Sequence, residues 1–131
     1  MSQAINVPVS PGELIDKITI LEIKSERMRD AAQLNNVRTE LASLLAVCDR
    51  HVPSSHELSD LTRQLKAVNE SLWQIEDEIR GCESSRDFGP QFVELARSVY
   101  RENDRRAQLK RDINVLLGSQ LMEEKAYNRY L

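Results

Sequence analysis

Leu58, Leu61, Leu65, Val68, Leu72, Ile75, Ile79 and Cys82 follow one another at intervals of 3, 4, 3, 4, 3, 4 and 3 residues. Apolar side chains at that spacing share one side of an α-helix and form a coiled-coil seam. A stripe sustained for over three heptads demands a second helix to cover it. The next segment supplies one. Pro90 suits a first turn, and Phe92, Leu95, Ala96, Val99, Leu109, Ile113 and Leu116 carry a stripe as far as Gly118. Between the two lies "SSRDFGP" (84–90), which is turn chemistry, so the helices are predicted to be antiparallel neighbours. Each is about 28 residues and spans on the order of 42 Å.

Two shorter helices precede this hairpin. "SPGE" opens the first, with Ser10 as N-cap, Pro11 at the first helical position and Glu13 completing a capping box. Leu14, Ile18 and Leu21 form its stripe, and Ile15, Ile20 and Ile23 widen it until the helix needs more than one partner. The second carries Leu34, Val37, Leu41, Leu44, Leu45 and Cys48 and ends near Pro53. "SSHE" then restarts the chain, with Ser54 as N-cap and Glu57 at N3. Residues 1–9 alternate Ile5, Val7 and Val9 with polar or proline positions, the pattern of an extended arm. Ser119 is expected to cap a short C-terminal helix over residues 119–131, through Leu121, Met122 and Ala126. The expected fold is therefore all-α: one domain (1–131), an antiparallel hairpin within a four-helix bundle, with an extended arm and a C-terminal helix.

In the fourth helix the seam turns polar. "YRENDRRAQLKRDIN" (100–114) leaves Glu102, Asn103, Arg106 and Ala107 to fill positions between Val99 and Leu109. Folding the hairpin at about residue 86 sets positions whose numbers sum to about 172 at equal height. Asn69 then faces Asn103, an amide pair that fixes register, and Glu76 and Asp77 lie near Arg97 and Arg101. Salt-bridging and register-setting are the bland account of these residues. The functional account takes Arg97, Tyr100, Arg101, Asn103, Asn69 and Trp73 as contacts for an anionic small molecule, with Glu76 or Asp77 as the acid/base. Guanidinium forks on one helical ridge can grip a carboxylate or phosphate. If these polar residues serve one pocket, Glu13, Asp16 and Lys17 of the first helix and Asp104 of the fourth converge with them.

Several function classes are excluded or disfavoured. A formal charge of −3 argues against a dedicated nucleic-acid binder. No apolar run approaches the ~20 residues that span a bilayer, and Met1-Ser-Gln-Ala has no signal-peptide character. Cys48 and Cys82 fall on apolar stripes about 36 Å apart, too far to bond, as expected of free thiols in a reducing cytoplasm. Glu-x-x-His, Cys-x-x-Cys, glycine-rich phosphate loops, G-x-S-x-G and H-E-x-x-H are absent. No metal or cofactor is therefore expected. Glu57-Leu-Ser-Asp60 matches half of an all-α pyrophosphatase signature, and the other half is missing.

"ELIDKITILEIKSERM" (13–28) is superficially similar to the first helix of all-α chorismate mutases, but their catalytic Arg, Lys and Glu/Gln positions do not map onto this chain. "VSPGELIDKITILEIKSERM" (9–28), "NVRTEL" (36–41), "VNESLWQIEDEIR" (68–80) and "ELARSVYRENDRRAQLKRDINVLLGS" (94–119) carry a closer resemblance. In them the chain resembles a family of small helical bacterial proteins, a domain of unknown function associated with surface-polysaccharide and glycosyltransferase genes. That resemblance implies a cellular context and no catalytic residue. The leading expectation is a non-enzymatic interaction or scaffold module with a protein partner. The girth of the first helix and the apolar arm suggest a homodimer. The runner-up is a small helical enzyme or binder of a sugar phosphate or dicarboxylate.

Overall fold

The computed structural model describes residues 3–126. Four helices follow in order: α1 (Pro11–Arg27), α2 (Ala31–His51), α3 (His56–Ser85) and α4 (Pro90–Leu116). No strand occurs among the described residues. No helix is long and apolar enough to cross a membrane. The hairpin of α3 and α4 is the longest element, and its helices run about 45 and 40 Å at 1.5 Å per residue. α3 stops because Arg86 turns left-handed at φ 55°, letting the Asp87 N–H reach back to the Cys82 carbonyl.

α1 is the centre of the bundle. Residues 12, 16, 19 and 23 lie within about 60° of one another on its wheel, and 14, 18 and 21 lie roughly opposite. The first set is tied to α3 and α4 by hydrogen bonds from Gly12, Asp16 and Thr19. The second set faces α2, whose backbone comes close to α1 alone among the helices. Leu14, Ile15, Ile18, Leu21 and Ile23 are all buried as a result. Most of the broad apolar girth is thus covered inside one chain, and Ile20 stays half-buried. Ile15 joins Leu58, Leu65, Val68, Leu109 and Ile113 in the main core, so the start of α3 packs beside the end of α4 and the hairpin is antiparallel.

Several local expectations need correcting. The N-cap of α3 is Ser55, which accepts from the Leu58 N–H, and not Ser54. Ser10 does cap α1, but Glu13 does not complete a capping box; its carboxylate accepts from Lys110 instead. Ala96 is exposed and does not belong to the seam against α3. Residues 119–126 form no helix: Gly118 at φ 65° ends α4, and the chain runs back along it. The remainder of that expected helix, 127–131, lies outside the described residues. Gln3–Val9 has no helix or strand, and Ile5 and Val7 are 88% and 66% exposed.

Candidate functional site

Polar side chains of α1, α3 and α4 meet where α1 crosses the hairpin. Asp16 sits at the centre, its side chain only 2% exposed. Arg106 grips it through two parallel bonds, Nε to Oδ1 at 2.9 Å and a terminal nitrogen to Oδ2 at 2.6 Å. Asn69 donates to Asp16 Oδ1 at 3.0 Å and to Thr19 Oγ1 at 2.9 Å, and Thr19 donates in turn to the Asp16 carbonyl. A charged group this deep costs folding energy unless paired and fully hydrogen-bonded, and here it is both. No buried side-chain nitrogen or oxygen among the described residues lacks a partner.

One turn toward the C-terminus of α4, Lys110 donates to Glu13 at 2.7 Å and to Glu123 of the returning chain at 3.1 Å. Burial pulls the Lys110 ammonium down, but the Glu13 and Glu123 bonds, with the charges of Asp16 and Glu13, outweigh it and hold the group above its usual range. The Lys66 ammonium, bonded to Glu26, is raised too. A raised folded value means that the stability these groups contribute is complete below about pH 10.4, their unfolded value, and is lost as pH climbs through the folded one. The urea midpoint of the native chain is expected to fall above that pH. In Lys110→Met the fall should be shallower, as a pH series of urea titrations would show. Beyond Lys110, Asn114 accepts the Gly12 N–H at 2.7 Å, so the first turn of α1 rests directly on α4.

An open groove of about 770 Å³ runs along α4 beside this cluster. Val99, Tyr100, Asn103 and Ala107 of α4 line it, together with Glu13 of α1 and Glu123 and Lys125 of the returning segment. Arg106, Lys110 and Asp104 also line it. Lys125 reaches Asp104 at 3.2 Å, so the returning segment is fastened along the rim. No group of three or more His, Cys, Asp or Glu among the described residues could hold a metal ion.

Of the residues singled out from the sequence, Tyr100 and Asn103 line the groove, and Asn69 is buried in the Asp16 cluster. Arg97, Arg101, Trp73, Glu76 and Asp77 do not line it. The expected pairs are not formed. Asn69 gives its amide protons to α1 rather than to Asn103, because a third helix supplies better acceptors. Glu76 pairs with Arg80 one turn on, not with Arg97, and Arg97 and Arg101 both reach Glu94 of their own helix. Glu76 and Asp77 are exposed and are not among the residues that line the groove. Lys17 is exposed as well, so the convergence expected of three helices is realised through Glu13, Asp16, Asn69, Asn103 and Asp104. Thr19, Lys110, Asn114 and Gly12 were not foreseen as members. The signals were a buried-face Thr at i+3 from an acid, and a glycine in the second helical position of α1.

Searches among curated proteins and among solved structures returned no match. A family model does match, over residues 5–131, so it spans the arm, all four helices and the returning segment. The chain belongs to that family, the family of unknown function DUF6165.

Proposed function

We propose that the chain is a non-enzymatic interaction module, a cytoplasmic scaffold accessory to bacterial surface-polysaccharide assembly. The observation that supports it is the mutual pairing of the ionised groups around the groove. Arg106 is taken by Asp16, Lys110 by Glu13 and Glu123, and Lys125 by Asp104. An anionic ligand would have to displace one of these carboxylates, and a general acid or base would have to leave its partner. The polysaccharide context rests on the family resemblance in the segments quoted above.

A second reading, a binder of a small anionic metabolite, is favoured by the groove's volume of about 770 Å³, which falls within the range of ligand pockets. Thermal shift with a panel of sugar phosphates and dicarboxylates separates the two. The module should show no shift. A ligand present at 100 times its Kd would add about 2.7 kcal/mol. Such a gain would overturn the scaffold reading and make Tyr100, Asn103, Arg106 and Lys110 the contacts to test.

A further inference from the structure

One wall of the groove is not helical. Its other lining residues stand on α1 and α4, but Glu123 and Lys125 stand on the returning segment, residues 119–126, which carries no helix or strand. Three successive side chains fasten that segment to α4. Glu123 pairs with Lys110 at 3.1 Å, Glu124 with Arg111 at 3.1 Å and Lys125 with Asp104 at 3.2 Å. Apolar burial adds little: Leu121 is exposed, and Met122 is half-buried, its sulfur 3.9 Å from the Asn114 amide nitrogen. The Glu123 and Glu124 side chains are 54% and 75% exposed, and ion pairs of that kind stabilise weakly and are screened by salt.

The bundle is held differently. The Asp16 carboxylate in the grip of Arg106, and the buried bond from the Gly12 N–H to Asn114, involve no residue of the returning segment. Lys110 stands between the two systems. Its side chain is 10% exposed and has two carboxylates, Glu13 on α1 and Glu123 on the segment. When Glu123 withdraws, Glu13 remains, so no buried charge is stranded. The segment leaves α4 at Gly118, whose φ of 65° ends the helix.

We propose that residues 119–126 act as a latch over Lys110, one that swings open beyond Gly118 while the four helices stay folded. Closed, the latch walls the groove and covers the Lys110 ammonium. Open, it leaves a groove lined by α1 and α4, with Lys110 reachable from solvent and still paired with Glu13. Local opening of this kind is an equilibrium separate from global unfolding. The latch goes beyond the interaction-module reading, because it does not depend on what occupies the groove.

Trace acetylation of the lysines in the full chain, read residue by residue by mass spectrometry, tests this, with circular dichroism under the same conditions. Exposed Lys17 is the internal reference, and Lys110 should react more slowly than Lys17 at low salt. Raising sodium chloride from about 0.01 to about 1 M shortens the screening length from about 30 to about 3 Å. Lys110 should then speed up at least about threefold relative to Lys17, with helicity unchanged. Arg111→Glu sets like charges together at Glu124 and alters neither carboxylate on Lys110, so it should speed Lys110 about threefold at low salt. Adding Glu124→Arg should restore the slow rate, because the pair re-forms with its signs exchanged. A merely local effect of Arg111→Glu would run the other way, since a new carboxylate beside Lys110 holds its proton more tightly. A Lys110 as reactive as Lys17 at low salt overturns the latch, and so does one that stays equally slow at high salt and in Arg111→Glu. Acetylation that rises only where helicity is lost overturns it too. None of these outcomes touches the thermal-shift result, so the latch and the function readings fail separately.

Discussion

Asp16→Ala is expected to remove about 3–5 kcal/mol of folding stability. The carboxylate has no exposed face through which water could replace it, and its loss strands two sets of donors. The Arg106 guanidinium keeps its charge at a site where its side chain is 30% exposed, with its partner gone. The Asn69 amide loses its bond to Oδ1 and keeps only the one to Thr19. Breaking one side of a buried pair is costly because an uncompensated charge remains. For a domain whose whole stability is about 5–15 kcal/mol, that is a large share. Urea denaturation should show a lower midpoint with an unchanged slope.

Gly12→Ala should cost about 2–3 kcal/mol, for a steric reason. A Cβ built at Gly12 comes 2.4 Å from the Lys110 carbonyl oxygen and 2.9 Å from Asn114 Oδ1. The nearer of these is backbone in mid-helix, so α1 must lift off α4 rather than a side chain move aside. Lifting stretches the buried bond from the Gly12 N–H to Asn114 and pulls Glu13 from Lys110. Alanine's better helix propensity returns at most ~1 kcal/mol. Gly81, by contrast, has open space around its Cβ position, and Gly81→Ala should be neutral or stabilising in the same urea titration.

The helices were legible in the sequence because their apolar spacing is regular. The seam from Leu58 to Cys82 predicted α3 and required α4. The girth of α1 predicted a helix with several neighbours, and α1 indeed touches all three others. The polar cluster was only half legible. Matching α3 and α4 by height alone set Asn69 opposite Asn103 and Glu76 near Arg97, but height says nothing about azimuth or about a third helix. Asn103 lines the groove, and Asn69 turns to α1. The stronger clue was Asp16 and Thr19 on the same side of α1 as Gly12 and Ile23, an acid set among positions that must be buried. The returning segment was misread because Ser119 resembles an N-cap. Its hydroxyl instead accepts from the Leu121 N–H, and residues 122–125 are drawn along α4 by Asn114, Lys110, Arg111 and Asp104.

These pieces make the groove a consequence of how α1 is pinned. Gly12, Glu13 and Asp16 bind α4 at Asn114, Lys110 and Arg106, so α4 is buried at Lys110 and Asn114 and more exposed toward Val93. The charges along the groove's rim are paired, Lys110 with Glu13 and Glu123 and Lys125 with Asp104.

The claim at the centre is that one carboxylate joins α1 to both helices of the hairpin. A double-mutant cycle on Asp16→Ala and Arg106→Met measures it directly. Strong coupling is predicted, on the order of 2–3 kcal/mol, with the double variant far more stable than the sum of the single losses implies. Single losses that simply add, within about 0.5 kcal/mol, would mean that the two side chains do not hold each other and that α1 is fixed by its apolar faces alone.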